Sequence, residues 1–489
     1  MRLAELLMAL AAATDLGMGQ PAGHAAETAL LSVRLARAFG LSDGAAAHVL
    51  YTALLRYVGC TADAPEVASA AGDEIVLAAA VAPYVMGDVQ DRVDHTCVAD
   101  PERAMAASMA VHCEAAGLLG SRLGLGPAVT ESLRHGFERW DGGGHPGGLA
   151  GDEIPLPVRL VVLARDVVLW QRLGGPVAAR AVAVQRRGHA YDPDVVDAYL
   201  TLEDPGGQPG GRGSVLDQLA AAEPSPRLVG LADVDALLTV FADFADLKLP
   251  SALGHSRRVA EVAAAAGQGL GLDVEQVGAL RRAGLVHDLG RAGVSSSIWT
   301  KTGPLSEDDW ERIRLHPYLS ERILRRSPPL ADLAVVAGSH HERLDGSGYH
   351  RGLSGIGLGR LERILAAADA YVSLREARPH RSALEAAEAV ARLQVDVEAG
   401  RLDGRAVPAV VAAAGEELPP PTSWPAGLSD REVDVLQLGV RGLTIRQIAT
   451  RLGIAPKTVD RHLQNSYVKI GVSSRAAAAL FAVHHGLLH

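Results

Sequence analysis

Residues 340–349 read His340-His341-Glu342-Arg343-Leu344-Asp345-Gly346-Ser347-Gly348-Tyr349, and this stretch constrains the rest of the chain most strongly. Two adjacent imidazoles before a glycine-rich turn are seldom needed for packing alone, and histidine is the commonest metal ligand in proteins. Asp345, Gly346 and Gly348 are expected to form the turn, because Asp accepts local backbone hydrogen bonds and Gly adopts positive φ. The stretch therefore predicts a metal site.

The other candidate ligands lie in the same region of the chain. They are His255, His287, Asp288, His316 and Asp369. A lone histidine is more often structural than a ligand, but the order of these residues around the adjacent histidines makes a metal centre the better interpretation. An aspartate that bridges two cations, flanked by imidazoles and a terminal carboxylate, suits Mn or Fe and the activation of a water molecule. The predicted chemistry is phosphoester hydrolysis.

These residues resemble the HD-GYP family of the HD phosphohydrolase superfamily, whose pattern runs HxxR, HDxGK, H, HHExxDGxGYPxGLxG and VADxxDALTxxRPYR. The resemblance covers roughly residues 233–415 and implies two divalent transition metal ions, Mn or Fe. It assigns His255, His287, Asp288 and Asp369 to the first metal, and Asp288, His316, His340 and His341 to the second. It also implies that Asp288 and Arg291 are catalytic, as bridging ligand and phosphate clamp, and that the substrate is cyclic di-GMP.

The sequence departs from the family pattern at several positions. Arg291 stands where the family has the Lys of HDxGK, and it keeps the positive charge although guanidinium and ammonium are not equivalent. His350 replaces the Pro of GYP, which leaves another nucleotide phosphoester open as the substrate. Some members hold a third metal through a carboxylate that here would stand at Ser251, so we expect two metals.

Length and composition predict three helical domains. A chain of 489 residues exceeds one ordinary core, and long runs of Ala, Leu, Val, Arg and Glu at helical spacing, with only 4% aromatic residues, favour an all-α fold. The predicted order is two tandem HD-domain helical bundles followed by a LuxR-type helix-turn-helix four-helix module. The predicted segments are a degenerate domain (1–203), a flexible linker (204–230), the metal-dependent domain (231–415), a Pro-rich linker (416–427) and the C-terminal domain (428–489).

The first domain is predicted from an internal repeat. Residues 3–24 align with residues 234–255 at an offset of 231, which places Arg56 and Tyr57 at the positions of His287 and Asp288. Beyond an insertion at about residues 61–100 the offset becomes 204. At that offset His112 aligns with His316, Gly136 and Phe137 replace the paired histidines, and Arg165 replaces Asp369. Only His24 and His112 remain, which cannot hold a binuclear centre. The copy is interpreted either as a ligand-binding or regulatory domain or as a packing scaffold.

The C-terminal domain is predicted to bind DNA. Ser429 or Asp430 and then Thr444 begin helices, and Pro456 begins a third, in the order of a helix-turn-helix. From Leu428 onward eight Lys and Arg face four Asp and Glu, although the whole chain carries a net charge of −10. In the third helix Val459, Leu463 and Val468 are predicted to face the core. The residues predicted to meet DNA are Lys457, Thr458, Arg461, His462, Asn465 and Lys469.

Residues 428–486 closely resemble the LuxR-type helix-turn-helix, with Ala455 where that family usually has a capping Ser. The resemblance implies promoter DNA as a partner and a homodimer formed through the last helix, 475–484. The three cysteines, Cys60, Cys97 and Cys113, lack metal-type spacing and are too few for a disulfide framework, which favours a reduced cytoplasmic setting. Glu5 interrupts the apolar start of the chain, and no long apolar span follows, so no membrane association is expected.

The combined interpretation is a cytoplasmic transcriptional regulator. Its metal-dependent phosphohydrolase module is predicted to hydrolyse a cyclic dinucleotide such as cyclic di-GMP, and its C-terminal domain to bind promoter DNA. Two alternatives stay open: a transcription factor that senses nucleotide or metal without turnover, and a phosphohydrolase for another nucleotide phosphoester. The sequence alone does not separate them.

Overall fold

The computed structural model describes residues 1–84, 101–202, 215–379, 381–415, 424–485 and 487–488. Within these ranges the regular structure is helical, and β pairing is confined to isolated bridges, so the predicted all-α fold is confirmed. The chain divides into two compact units. The first comprises Met1–Leu237 and Arg325–Leu330, and the second comprises Leu238–Leu324 and Ala331–His489.

The helices of the first unit bury leucine and alanine side chains in its core, among them Leu6, Leu35 and Leu54. Helix α2 packs on both α3 and α8 and so forms the centre of this unit. The helices are α1 (Leu3–Gly17), α2 (His24–Ala38), α3 (Asp43–Leu55), α4 (Ala64–Ala71), α5 (Glu74–Val81), α6 (Pro101–Arg122), α7 (Pro127–Arg134), α8 (Leu156–Gln185), α9 (Pro193–Thr201) and α10 (Val215–Ala222).

Helix α11 (Leu231–Leu247) crosses the boundary between the units, and the second unit then centres on α12, which packs on α13, α18 and α20. The helices that build its metal-site portion are α12 (His255–Gly269), α13 (Val274–Val286), α14 (Ser296–Trp299), α15 (Glu307–Arg314), α16 (His316–Leu324), α17 (Ala334–Gly338), α18 (Arg360–Leu374), α19 (Ala386–Glu398) and α20 (Ala406–Ala414).

The internal repeat is visible in the geometry of both units. Asp15 accepts backbone N–H bonds from Gly23 and Ala25 at 3.0 Å, and Asp246 accepts one from Ser256 at 3.0 Å at the same offset of 231. A Cβ on Gly59 would lie 2.0 Å from the carbonyl oxygen of His112. A Cβ on Gly290 would lie 2.0 Å from that of His316. Two HD-domain bundles therefore stand in tandem, as the repeat predicts.

The domain boundaries drawn from the sequence stay predictions, but part of the predicted flexible linker is folded. Within residues 204–230, α10 packs on α2, and the backbone of Arg2 pairs with Leu228. A run of apolar residues at helical spacing after the Gly-rich stretch explains the difference, because it gives the segment a face to bury. Cys97 and most of the predicted Pro-rich linker lie outside the described residues, whereas Cys60 and Cys113 are buried free thiols.

The C-terminal module has the predicted helix-turn-helix order. Its helices are α21 (Asp430–Val440), α22 (Ile445–Leu452), α23 (Pro456–Ile470) and α24 (Arg475–His484). Ser429 and Thr444 cap α21 and α22 and form capping boxes with Glu432 and Gln447. Ala455 provides no side-chain cap to α23. The core consists of Val435, Ile448, Ala449 and Val459, with Leu463 packed against it.

One predicted core residue is wrong. Val468 is 80% exposed, and Ser466 is buried instead, where its hydroxyl donates to the His462 carbonyl at 2.8 Å. At 100° per residue Val468 lies half a turn away from Val459 on α23, whereas Leu463 and Ser466 follow Val459 at i+4 and i+7. Apolar character suggested burial at Val468, but helical spacing decides against it.

Candidate metal centre

All seven predicted metal ligands come together in the second unit. His255 is the first residue of α12, directly after Gly254, whose φ is +76°. His287 and Asp288 follow the end of α13, His316 begins α16, and the paired histidines follow α17. Asp369 projects from α18. Every ligand except the half-buried His341 is buried, so helix ends and one helix interior converge on a shielded site.

The ligand atoms form two groups that share one aspartate. One group is His316, His340 and His341, and the other is His255, His287 and Asp288; within each group the ligand atoms lie within 4.8 Å of one another. Asp288 Oδ2 lies 3.0 Å from His287 Nε2 and 3.5 Å from His255 Nε2. Its Oδ1 lies 3.4 Å from His316 Nε2 and 3.6 Å from His340 Nε2. Asp288 thus has one oxygen toward each group.

Asp369 also faces both groups. Its Oδ1 lies 3.2 Å from His255 Nε2, and its Oδ2 lies 3.7 Å from His341 Nδ1. The family resemblance places Asp369 on the first metal alone, with His255. The geometry brings His341 close to the same carboxylate, so the two groups are joined at two points.

Backbone carbonyls orient three of the imidazoles. Nδ1 of His287 lies 2.8 Å from the Gly284 carbonyl oxygen, and Nδ1 of His316 and His340 lie 2.6 Å from the carbonyl oxygens of Ile313 and Ala337. A carbonyl can only accept, so Nδ1 carries the proton and leaves the Nε2 lone pair free as a ligand. In each case the acceptor is the residue three positions earlier.

The buried polar atoms of the site fit a metal. Within the described residues, Nε2 of His287 and both carboxylate oxygens of Asp288 are buried without a hydrogen bond of acceptable geometry. Burial opposes ionisation of Asp288, yet Arg291 and His287 hold its pKa well below the usual range. Burial lowers the pKa of His316 to about 4. Burial and the neighbouring imidazoles together hold the pKa values of His340 and His341 well below the usual range. Neutral imidazoles at these three histidines, beside an ionised carboxylate, are donors of the kind that transition metals require.

Arg291 lies beside the bridging carboxylate. Its guanidinium NH2 lies 2.5 Å from Asp288 Oδ2, its Cζ lies 5.6 Å from the Trp299 ring centre, and the residue is 5% exposed. Its Nε and NH1 lack hydrogen-bond partners among the described residues. The predicted phosphate clamp therefore has two donors available within the site.

The stretch that follows the paired histidines is a tight turn, as expected. Asp345 Oδ1 accepts from the backbone N–H of Ser347 at 2.9 Å, and Gly346 has φ +81°. A Cβ on Gly348 would lie 2.4 Å from the backbone nitrogen of Arg343, so only glycine fits. The turn brings Tyr349 into a stacked contact with His341, with ring centroids 4.7 Å apart.

Sequence reasoning missed Glu376. Its Oε2 lies 3.0 Å from Nδ1 of His255, while Oε1 accepts from Nε of Arg258 at 3.2 Å and Arg378 contacts Oε2 at 3.1 Å. Burial alone would lower the pKa of His255, but Glu376 and Asp369 raise it to about 9. The available signal was the HxxR pattern, because an arginine one turn after a ligand histidine needs a buried acid as its partner.

The predicted DNA-contacting residues lie on α23. Lys457, Arg461 and Asn465 are exposed, and Thr458 and His462 are half-buried. Lys469 is placed differently, because its ammonium is bound to Glu432 at 2.7 Å and to the Gly427 carbonyl at 3.0 Å. Its charge is already engaged within the module, which makes it a poor candidate for a phosphate contact.

Comparisons with known proteins agree with this arrangement. Residues 239–406 match the family model for the HD domain, and residues 426–482 match that for bacterial regulatory proteins of the luxR family. The 3'3'-cGAMP-specific phosphodiesterase 3 of Vibrio cholerae serotype O1 is 28% identical over 429 residues, which span 80% of this chain and 90% of that protein. The cyclic di-GMP phosphodiesterase response regulator RpfG of Xanthomonas campestris pv. campestris is 36% identical over 157 residues, 32% of this chain and 41% of that protein.

A crystal structure of a cyclic GMP-AMP specific phosphodiesterase from V. cholerae supports the fold. It covers 86% of this chain and 98% of its own, with a TM-score of 0.57 and 24% identity. Among the described residues, no helix is both long and apolar enough to cross a bilayer. The chain is a metal-dependent phosphohydrolase of the HD-domain class, with tandem HD bundles and a C-terminal LuxR-family helix-turn-helix domain.

Proposed function

We propose that the second HD bundle hydrolyses a phosphodiester bond of a cyclic dinucleotide. The observation that carries this proposal is the position of Asp288, which has one carboxylate oxygen toward each of two histidine groups. A carboxylate that bridges two cations is the usual foundation of a two-metal phosphodiesterase site.

Two divalent transition metals, Mn or Fe, suit this donor set of imidazoles and carboxylates. His255, His287, Asp288 and Asp369 would hold the first, and Asp288, His316, His340 and His341 the second. When bound, the metals supply Lewis-acid stabilisation of charge on the phosphoryl group and a lowered pKa for the attacking water.

The residues of the chain contribute orientation, charge and exclusion of water. Three backbone carbonyls hold the imidazoles in one tautomer, so the ligands need little reorganisation. Arg291 places two unpartnered N–H donors next to Asp288, where they can bind a phosphate oxygen of the substrate. Burial of these groups strengthens each electrostatic interaction relative to water.

The class of substrate rests on the relatives. One is named for 3'3'-cGAMP and the other for cyclic di-GMP, so their names share the cyclic dinucleotide and differ in the base. His350 occupies the position of the proline in the GYP pattern and lies 3.8 Å from Glu321 Oε2. Another nucleotide phosphoester is the competing substrate class.

We also propose that the C-terminal domain binds promoter DNA as a homodimer, so that the protein is a cytoplasmic transcriptional regulator. The LuxR-family match and the exposed face of α23 that carries Lys457, Arg461 and Asn465 support DNA binding. Regulation could then follow from occupancy of the metal site without turnover, which is the second candidate function.

The test is product analysis by chromatography after Mn- or Fe-loaded protein is incubated with 3'3'-cGAMP and, separately, with cyclic di-GMP. Linear dinucleotide or mononucleotide from wild type, but not from Asp288→Ala, is the expected result. If the metal-loaded protein binds either nucleotide but forms no product, the phosphodiesterase proposal is wrong and a sensor that binds nucleotide without turnover takes its place.

A further inference from the structure

The first HD bundle keeps its helical scaffold, but arginine side chains stand at two of the positions that carry candidate metal ligands in the second bundle. Arg56 stands at the position of the ligand His287, Tyr57 at that of Asp288, and Arg165 at that of Asp369. His24 and His112 remain at the positions of His255 and His316. A site that holds metal cations through carboxylates in one copy is therefore lined by guanidinium groups in the other.

Two of these side chains are buried with unused hydrogen-bonding capacity. Arg56 is 8% exposed, and its Nε and NH1 have no hydrogen-bond partner among the described residues. Its Cζ lies 4.8 Å from the Phe137 ring centre. His24 is fully buried, and both of its ring nitrogens are unpartnered among the same residues.

Arg56, Tyr57 and Arg165 belong to one cluster, and His24 and Arg56 stand at the positions of His255 and His287, whose ring centroids lie 5.4 Å apart. Arg165 Nε donates to the Tyr57 hydroxyl at 2.8 Å, and Arg56 Cζ lies 5.6 Å from the Tyr57 ring centre. Burial lowers the pKa of His24 to about 3, and Arg165 and Arg56 are among the cations that lower it further. The imidazole is therefore neutral, with one N–H to donate.

The guanidinium groups of the cluster differ in how they are paired. Arg165 and Arg186 both contact Asp166, whose pKa is lowered against the effect of burial by these two guanidiniums. One carboxylate thus serves Arg165 and Arg186, while Arg56 forms no ion pair among the described residues. A buried positive charge without a partner is costly unless an anion joins it.

We propose that the first HD bundle binds a phosphate dianion, free or as the phosphomonoester of a nucleotide, through the edge of Arg56 and the N–H of His24. Guanidinium matches the paired oxygens of phosphate, and phosphate supplies the negative partner that Arg56 lacks among the described residues. This site uses residues apart from the metal centre, so its failure would leave the proposed phosphodiesterase unaffected.

The test is a calorimetric titration of inorganic phosphate into the full chain after chelation, with wild type, Arg56→Met and Arg187→Met compared. Arg187 is an exposed arginine of the same unit, paired with Asp197, and serves as the matched control. We expect Arg56→Met to weaken phosphate binding at least ten-fold and Arg187→Met to leave it unchanged. Equal affinity in wild type and Arg56→Met would overturn the proposal.

Thermal unfolding provides a readout that a merely structural arginine would not give. Without phosphate, Arg56→Met is expected to unfold at or above the wild-type temperature, because it removes an unbalanced buried charge at similar volume. With phosphate, only the wild type should gain stability. If Arg56→Met fails to fold, His24→Gln replaces it, and an undiminished phosphate response in that variant would contradict the proposal.

Further titrations of the same protein would distinguish free phosphate from a nucleotide phosphomonoester as the ligand. Tighter binding of guanosine monophosphate than of inorganic phosphate would identify a nucleotide ligand, and weaker binding would identify free phosphate. Acetate, which carries a single charge, is the test of the charge argument. Acetate that binds to Arg56 as tightly as phosphate would overturn the assignment to a dianion.

Discussion

Oε2 of Glu376 lies 3.0 Å from Nδ1 of His255, on the side of the imidazole that faces away from Asp288 and Asp369. The carboxylate fixes the ring of a predicted metal ligand and stabilises its protonated form, and it is itself held by Arg258 and Arg378. A partner of this kind orients the ligand and increases its basicity toward a metal.

Glu376→Gln is expected to weaken metal binding about ten- to a hundred-fold, because the amide orients His255 without supplying negative charge. Metal content after dialysis against graded chelator would measure the change. Glu385→Gln is the control, because Glu385 is an exposed glutamate that directly precedes α19. Unchanged metal retention in Glu376→Gln would show that His255 is oriented without the carboxylate.

Removal of metal is expected to lower the unfolding temperature of wild type. A ligand that binds only the folded state, at a free concentration a hundred times its dissociation constant, adds about 2.7 kcal/mol to the free energy of unfolding. Thermal unfolding with and without EDTA would detect this, and Asp288→Ala should show little difference between the two conditions. An EDTA effect that is equally large in Asp288→Ala would place the stabilising metal elsewhere.

Arg461 and Lys469, both on α23, are expected to contribute differently to DNA binding. Arg461→Ala should weaken DNA binding and reduce the salt slope of the affinity by about one, as expected for one lost phosphate contact. Lys469→Ala should leave that slope unchanged, since the Lys469 ammonium is bound to Glu432. Anisotropy titrations at several salt concentrations would measure the salt slope of DNA affinity for both variants. Equal changes in slope would show that Lys469 contacts a phosphate as Arg461 does.

His112 predicts a pH dependence of stability. Burial lowers its pKa in the folded chain from the ordinary value of 6.5 to about 4. Between these values the unfolded chain binds more protons, so stability falls as the pH drops from about 6.5 to about 4, by at most about 1.4 kcal/mol per pH unit.

His112→Gln should remove that slope, so the free energies of unfolding of variant and wild type should converge as the pH is lowered through this window. Above about pH 7 the two curves should run parallel. Denaturant titrations of chelated protein across the window would provide the values. A constant difference down to pH 4 would contradict a neutral buried His112.

The metal site was largely predictable because its ligands carry their chemistry in residue type and in chain order. The seven candidate ligands, the turn at Gly346 and the capping by Ser429 and Thr444 all follow from residue type and spacing. Glu376 was missed because its role depends on a contact across 121 residues.

Two assignments on α23 compare differently with the structure. Val468 was assigned to the core from its apolar character, against its helical position. The assignment of Lys469 to DNA stays a prediction, and its contact with Glu432 on another helix, which charge alone does not reveal, argues against it.

The carbonyls of Gly284, Ile313 and Ala337 have a consequence for how this site can change by mutation. Every residue type carries a main-chain carbonyl, so no single substitution can delete the acceptors that orient His287, His316 and His340. A single mutation can remove a side chain that orients a ligand, such as Glu376, but it cannot remove these three carbonyl acceptors. In the first HD bundle the scaffold persists, but five of the seven equivalent positions no longer carry a His or an Asp.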